Sequence, residues 1–110
     1  MNTAMSDAQP VTTIRVLIPF HLRKLAGLDG EIDLPISGPV TQRAVIDMLE
    51  SQFPTIRGTI RDHGADRRRP FLRFFACKRD LSNEPPDALL PDEVIAGKEP
   101  YMIIGGLGGG

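Results

Sequence analysis

The chemistry this sequence can offer is concentrated in Gly105-Gly106-Leu107-Gly108-Gly109-Gly110, which holds five of the eleven glycines of the chain. Residues without a Cβ adopt conformations closed to others and pass through channels too narrow for side chains. Six extended residues span roughly 20 Å at about 3.3 Å each. The sequence as written closes on Gly110, so the expectation is a free carboxylate on a thin, side-chain-poor tail, with the rest of the chain as its handle. A flexible linker or a cloning remnant has the same composition. A phosphate-binding loop does not, because that pattern needs Gly-Lys-Ser/Thr opening a helix. A dinucleotide fingerprint fails for the same reason.

Other reactive side chains are isolated. Cys77 is the only cysteine. It is readable as a sulfur relay, or as a small residue packed in an apolar strand. His21 and His63 have no ligand-spaced neighbours, so no metal site is expected. Arg67-Arg68-Arg69 follows Asp66 in a polar stretch and reads as a solvated loop or as a dock for an acidic surface.

The totals narrow the classes. With 110 residues there is room for one domain. Lys+Arg 13 against Asp+Glu 14 lacks the basic excess of a general nucleic-acid binder. One cysteine permits no internal disulfide. Met1 to Thr12 is polar and lacks the basic-then-apolar layout of a signal peptide. No apolar run approaches the roughly 20 residues of a membrane span. The expectation is therefore a soluble cytoplasmic protein with neither nucleic acid nor membrane as partner.

Holding a tail requires a rigid strand beneath it, and the apolar run Pro100-Tyr101-Met102-Ile103-Ile104 reads as one. The alternation of Ile14, Val16 and Ile18 predicts a first strand from about Thr13. Pro19 ends it, and Phe20 to Gly27 is expected to bend away. Glu31-Ile32-Asp33-Leu34 predicts the second strand of a hairpin, ended by Pro35. Thr41 is an N-cap candidate, with Val40 and Val45 placed for a hydrophobic staple. Val45, Met48, Leu49 and Phe53 share one face of a helix over about 42–53, which Pro54 stops. Ile56 and Ile60 predict one further helical turn. Phe71 to Cys77, rich in aromatic residues, predicts a third strand. Residues 80–92 read as irregular, and 92–97 as a turn. Residues 1–12 read as a flexible arm, 13–104 as the folded domain and 105–110 as a flexible tail. The element order implies an α+β layer, a mixed sheet of four to five strands with one main helix packed across one face. A right-handed crossover would set the third strand parallel to the first.

On these residues the chain resembles the MoaD/ThiS sulfur-carrier family, whose fold is a ubiquitin-like β-grasp. The resemblance covers residues 13–110. It rests on Ile14-Arg15-Val16-Leu17-Ile18 followed by Leu22-Arg23-Lys24-Leu25-Ala26-Gly27, on the helix from Thr41 to Pro54, on Leu89-Leu90-Pro91-Asp92-Glu93-Val94, and on the terminal Gly109-Gly110. The chain departs from the family in having three terminal glycines, Gly105-Gly106-Leu107 before them, and Ala76-Cys77-Lys78-Arg79-Asp80 where many relatives carry an Asn-Gly turn.

The resemblance implies a carrier or co-substrate, which could be the small subunit of a sulfur-transferring synthase but is not itself an enzyme. A ubiquitin-activating-type, MoeB/ThiF-like partner would adenylate the Gly110 carboxylate with ATP bound to the partner, and sulfur would then displace AMP to leave a thiocarboxylate. A sulfur-accepting synthase would take it on toward a cofactor or metabolite, of molybdopterin or thiamine type. Gly105, Gly106, Gly108 and Gly109 would give clearance in the partner's channel, and Leu107 an anchor. A ubiquitin-like modifier joined to lysines is the alternative, as is an interaction module with an inert tail. If Ile14, Val16 and Ile18 face the helix, Leu17 faces out. It would form an exposed docking patch with one of Phe74 or Phe75 and one of Ile103 or Ile104.

Overall fold

A computed structural model describes residues 10–61 and 72–105. Strand β1 covers Val11–Leu17, beginning two residues before the expected boundary. Ile14 and Val16 are buried on one face, with Ile18 just past the strand end, as the period of two requires. The segment expected to bend is a helix, α1, Phe20–Ala26. Leu22 is its buried residue. Gly27 closes it at φ 74, its N–H directed to the carbonyls of Arg23 and Lys24, in a left-handed position that a Cβ would disfavour.

Strand β2, Ile32–Ser37, runs straight through Pro35. It pairs antiparallel with β1, Leu34 opposite Ile14 and Ile36 opposite Thr12. Because β2 is the outermost strand on its side of the sheet, a residue lacking a backbone donor is tolerated there.

Helix α2 spans Gln42–Gln52. The Thr41 hydroxyl accepts the Ala44 N–H at 3.1 Å, which satisfies one of the orphan donors at the helix start. Val45 and Leu49 are fully buried and Ile46 nearly so, and Val40 is buried at the N′ position. A 3-10 turn, Pro54–Ile56, follows in place of an α-helical one, and Ile56 and Ile60 are both fully buried. Arg61 folds back onto α2, with Nη2 3.0 Å from Glu50 and a second contact to Asp47.

Strands β3, Leu72–Ala76, and β4, Arg79–Asp80, form a hairpin. Its turn is Cys77-Lys78, with φ values of 54 and 64. Positive φ at both central residues is the type I′ pattern that matches strand twist. Cys77 therefore sits in a turn, not in the apolar strand expected for it. The following segment lies over the start of α2, where the Leu90 N–H donates to the Val40 carbonyl at 2.9 Å and the Arg43 N–H to Pro86 at 3.0 Å. A four-residue helix, α3, Asp92–Ile95, leads to β5, Tyr101–Gly105.

The sheet order is β2-β1-β5-β3-β4. β5 lies between β1, to which it is parallel, and β3, to which it is antiparallel. The expectation that the third strand runs parallel to the first is therefore corrected. With β2 on one side of β1, a single edge of β1 remains, and β5 takes it. β3 lies beyond β5 and runs opposite to both. Leu34, Ile36, Leu72, Phe74, Ala76, Tyr101 and Ile103 join the buried residues of β1 and α2 in one core. Among the described residues no helix is long and apolar enough to cross a membrane.

Candidate docking face and tail-bearing strand

Every strand that packs one face on α2 turns the other face outward. On that outer face the register lines up three apolar side chains from three strands: Leu17 opposite Met102, and Met102 opposite Phe75. All three are half-buried, and none belongs to the core cluster. One step further along β5, Ile104 is 39% exposed and stands opposite Arg73. The Arg73 guanidinium lies 3.5 Å from the Asp80 carboxylate.

This arrangement decides between the paired alternatives in the expected patch. Leu17, Phe75 and Ile104 face outward. Phe74, 5% exposed, and Ile103, 2% exposed, lie in the core and opposite each other, so they are not docking residues. The reason is the pleat: in an unbroken apolar run such as Tyr101 to Ile104, neighbours take opposite faces, and composition alone cannot say which is which. Met102 was missed for the same reason. The register through Leu17 reveals it, because the outward residue of β1 identifies the outward residue beside it.

Gly105 is also reassigned. It stands opposite Leu72 as the last residue of β5, so the strand carries one residue of the expected tail. Gly106, Leu107, Gly108, Gly109 and Gly110 lie outside the described residues, as do His63, Arg67, Arg68, Arg69 and residues 1–9 of the expected arm.

The tail-bearing strand is fixed at its start by a buried network. The Tyr101 hydroxyl donates to Gln42 Oε1, and Gln42 Nε2 donates to the Leu81 carbonyl at 3.2 Å. Tyr101 is fully buried and Gln42 4% exposed. Burial holds the phenol pKa well above its usual 10, since ionisation would place a charge in an apolar interior. These polar core residues escaped sequence reasoning. Gln42 reads as a surface position of α2, and it is covered once Tyr101 and the segment that follows β4 pack across the helix start.

At the opposite margin, Arg15 binds Glu31 through Nε at 2.8 Å and reaches the carbonyls of Gly97 at 3.3 Å and Lys98 at 3.0 Å. Hydrogen bonding to Arg15 lowers the Glu31 pKa. The pair ties the hairpin to the turn that feeds β5.

Cys77 is half-buried in its turn, with Sγ 3.7 Å from Glu93 Oε1. Desolvation and the negative charge of Glu93 raise its pKa, the reverse of what an activated thiol needs. His21 is exposed on α1. Among the described residues no group of His, Cys, Asp or Glu side chains is placed to hold a metal ion.

A five-stranded mixed sheet in the order β2-β1-β5-β3-β4 with a helix across one face is the ubiquitin-like β-grasp. Solved structures share it. SAMP1 from Haloferax volcanii superposes with a TM-score of 0.67 at 12% identity, over 89% of this chain and 99% of that one. SAMP1 from Methanosarcina acetivorans, a small archaeal modifier protein, gives 0.64 at 18% identity, over 92% and 99%. CysO in the Amycolatopsis orientalis BexX/CysO complex gives 0.65 at 20% identity, over 87% and 98%. These neighbours are MoaD/ThiS-type β-grasp proteins, and at these identities the likeness establishes the fold. No protein-family model and no curated protein matches the sequence.

Proposed function

We propose that this chain is a sulfur carrier whose acyl end, Gly110 in the sequence as written, is adenylated by a ubiquitin-activating-type enzyme using ATP and then converted to a thiocarboxylate. The observation that carries the reading is the position of β5. The strand that leads into the glycine run is central in the sheet and also supplies the middle of the outward-facing apolar row. A partner that grips Leu17, Met102, Phe75 and Ile104 holds the strand from which the tail departs. Its surface would be apolar, with a carboxylate near Arg73.

The chemistry follows from the end group. A carboxylate resists nucleophilic attack, and joining it to AMP supplies a leaving group. The sulfur nucleophile adds to the acyl carbon, AMP departs, and the C–S bond replaces the acyl phosphate C–O bond. Glycines let the backbone enter a channel that would exclude a Cβ. The crystallised BexX/CysO complex supports a sulfur-accepting synthase as the second partner.

The same fold in proteins described as small archaeal modifiers favours a second reading, conjugation of the tail to lysines. Mass spectrometry of the protein from its native host separates the two. A sulfur-for-oxygen exchange at the C-terminal glycine supports the carrier, and isopeptide adducts on other proteins support the modifier. The same spectrum tells whether Gly110 is retained or trimmed. A protein with neither product under sulfur-limited growth would refute both.

A further inference from the structure

Met102 occupies the middle of the outer face, directly between Leu17 of β1 and Phe75 of β3. It is half-buried and outside the core cluster. Met48, the other methionine among the described residues, is half-buried as well, but it packs from α2 against that core and not on the outer face. A thioether that solvent reaches is oxidised by two-electron oxidants, and the product sulfoxide is polar. We propose that Met102 is a reversible oxidation site that switches this face between docking and non-docking forms, which rests on the docking reading above.

The oxidant is of the peroxide class. The sulfur lone pair attacks one peroxide oxygen, an S–O bond forms and the O–O bond breaks. The sulfide is oxidised to sulfoxide, and the departing oxygen, taking up the proton of the transferred hydroxyl, leaves as water or an alcohol. The new oxygen is a strong hydrogen-bond acceptor. Leu17 and Phe75 on either side supply no donor, so covering the sulfoxide with an apolar partner strips its water without replacement, which is unfavourable. The change lies on the face opposite the core, and the fold is retained. Methionine sulfoxide reductases act on both epimers and restore the thioether, so the switch resets.

The test treats the full chain with hydrogen peroxide and titrates it against its host's adenylating enzyme, reading KM for the chain by ATP–pyrophosphate exchange. An added oxygen and a sulfur-for-oxygen exchange have nominally the same mass, and both would fall within the tryptic peptide that follows Lys98. Fragment ions must therefore assign the site. Met102 is expected to be oxidised, KM to rise about tenfold, as for loss of a central interface contact, and reductase treatment to reverse both. In M102L, KM before and after peroxide is expected to be the same, whatever its starting value, while M48L stays sensitive. A Met102 that peroxide leaves intact, or equal sensitivity of M102L, would overturn the proposal. If the enzyme does not adenylate the untreated chain, the carrier reading falls. The switch is then decided by an apolar fluorescent dye: a signal lost on oxidation in the parent but not in M102L keeps it, and an unchanged parent signal ends it.

Discussion

Replacing Tyr101 by Phe removes one oxygen from the fully buried start of the tail-bearing strand. The ring remains, with its tilted contact to Phe74 at a centroid separation of 6.1 Å. What is lost is the donor to Gln42 Oε1, and Gln42 is itself buried. An acceptor left unpaired in the interior costs about 1–3 kcal/mol. Taking about 2 kcal/mol, a domain of this size loses about 8 °C of Tm. Adding Gln42→Met removes the orphaned oxygen, while the Leu81 carbonyl loses its donor, so the double variant recovers part of the loss with a coupling of about 1 kcal/mol. Urea titrations with unchanged m-values measure each corner of the cycle. A cavity of about 240 Å³ is bordered by Gln42, Leu81 and Leu90. If water from it hydrates Oε1, Tyr101→Phe will fall within about 0.5 kcal/mol of the parent, and the claim that this hydrogen bond has no substitute is refuted. The pH dependence gives an independent reading, because this is the only tyrosine. Its folded pKa lies well above 10. Below pH 10 both states keep the proton and the group contributes no slope. Above it the unfolded chain releases the proton first, so stability falls by up to about 1.4 kcal/mol per pH unit until the folded pKa is reached. The Phe variant lacks that slope.

The two adjacent phenylalanines of β3 should separate the faces: Phe74→Ala is expected to cost about 3–5 kcal/mol, and Phe75→Ala far less, with its effect appearing in partner affinity. Denaturant midpoints beside a binding titration check both. Lys78→Gly relieves a side chain at φ 64 and should stabilise by about 1 kcal/mol, read from a rise in the urea midpoint. Arg61→Met strips Glu50 and Asp47 of a cation whose side chain is 13% exposed and should lower stability by about 2 kcal/mol. Glu50→Gln in the Arg61→Met background should recover part of it.

The strands and the main helix were legible where one face alone is buried. Ile14, Val16 and Ile18 show the period of a strand. Thr41, Val45 and Leu49 show a cap and a helical face, and the structure follows both. Helix α1 was not legible. It carries a single fully buried residue, Leu22, while Phe20 and Leu25 are 66% and 53% exposed. Leu22, Leu25 and Ala26 have helical spacing, with Leu22 and Ala26 packed on the core, but seven residues hold too few such positions to separate a helix from a turn. β2 was cut short at Pro35 because proline is excluded from inner strands, and the sequence does not announce which strands are outermost. The candidate face was half legible: Leu17 is identified by its alternating neighbours, but Phe74 and Phe75, or Ile103 and Ile104, are indistinguishable until the register with β1 is known. Strand direction was misjudged because chain order was taken for sheet order.

The last residue of β5, Gly105, stands in register with Leu72, and this anchors the tail like the pivot of a pair of compasses. Five residues separate that pivot from the end of Gly110, a maximum radius of about 17 Å at roughly 3.4 Å per residue. On the proposed carrier reading, an enzyme that acts on the Gly110 acyl group while holding the outer face must bring its reacting atoms within that radius. Partners with unrelated active sites would therefore share a measurable dimension, the distance from the apolar seat that receives Ile104 to the atom that attacks or activates the glycine. That distance could be used to recognise a partner before any reaction is observed.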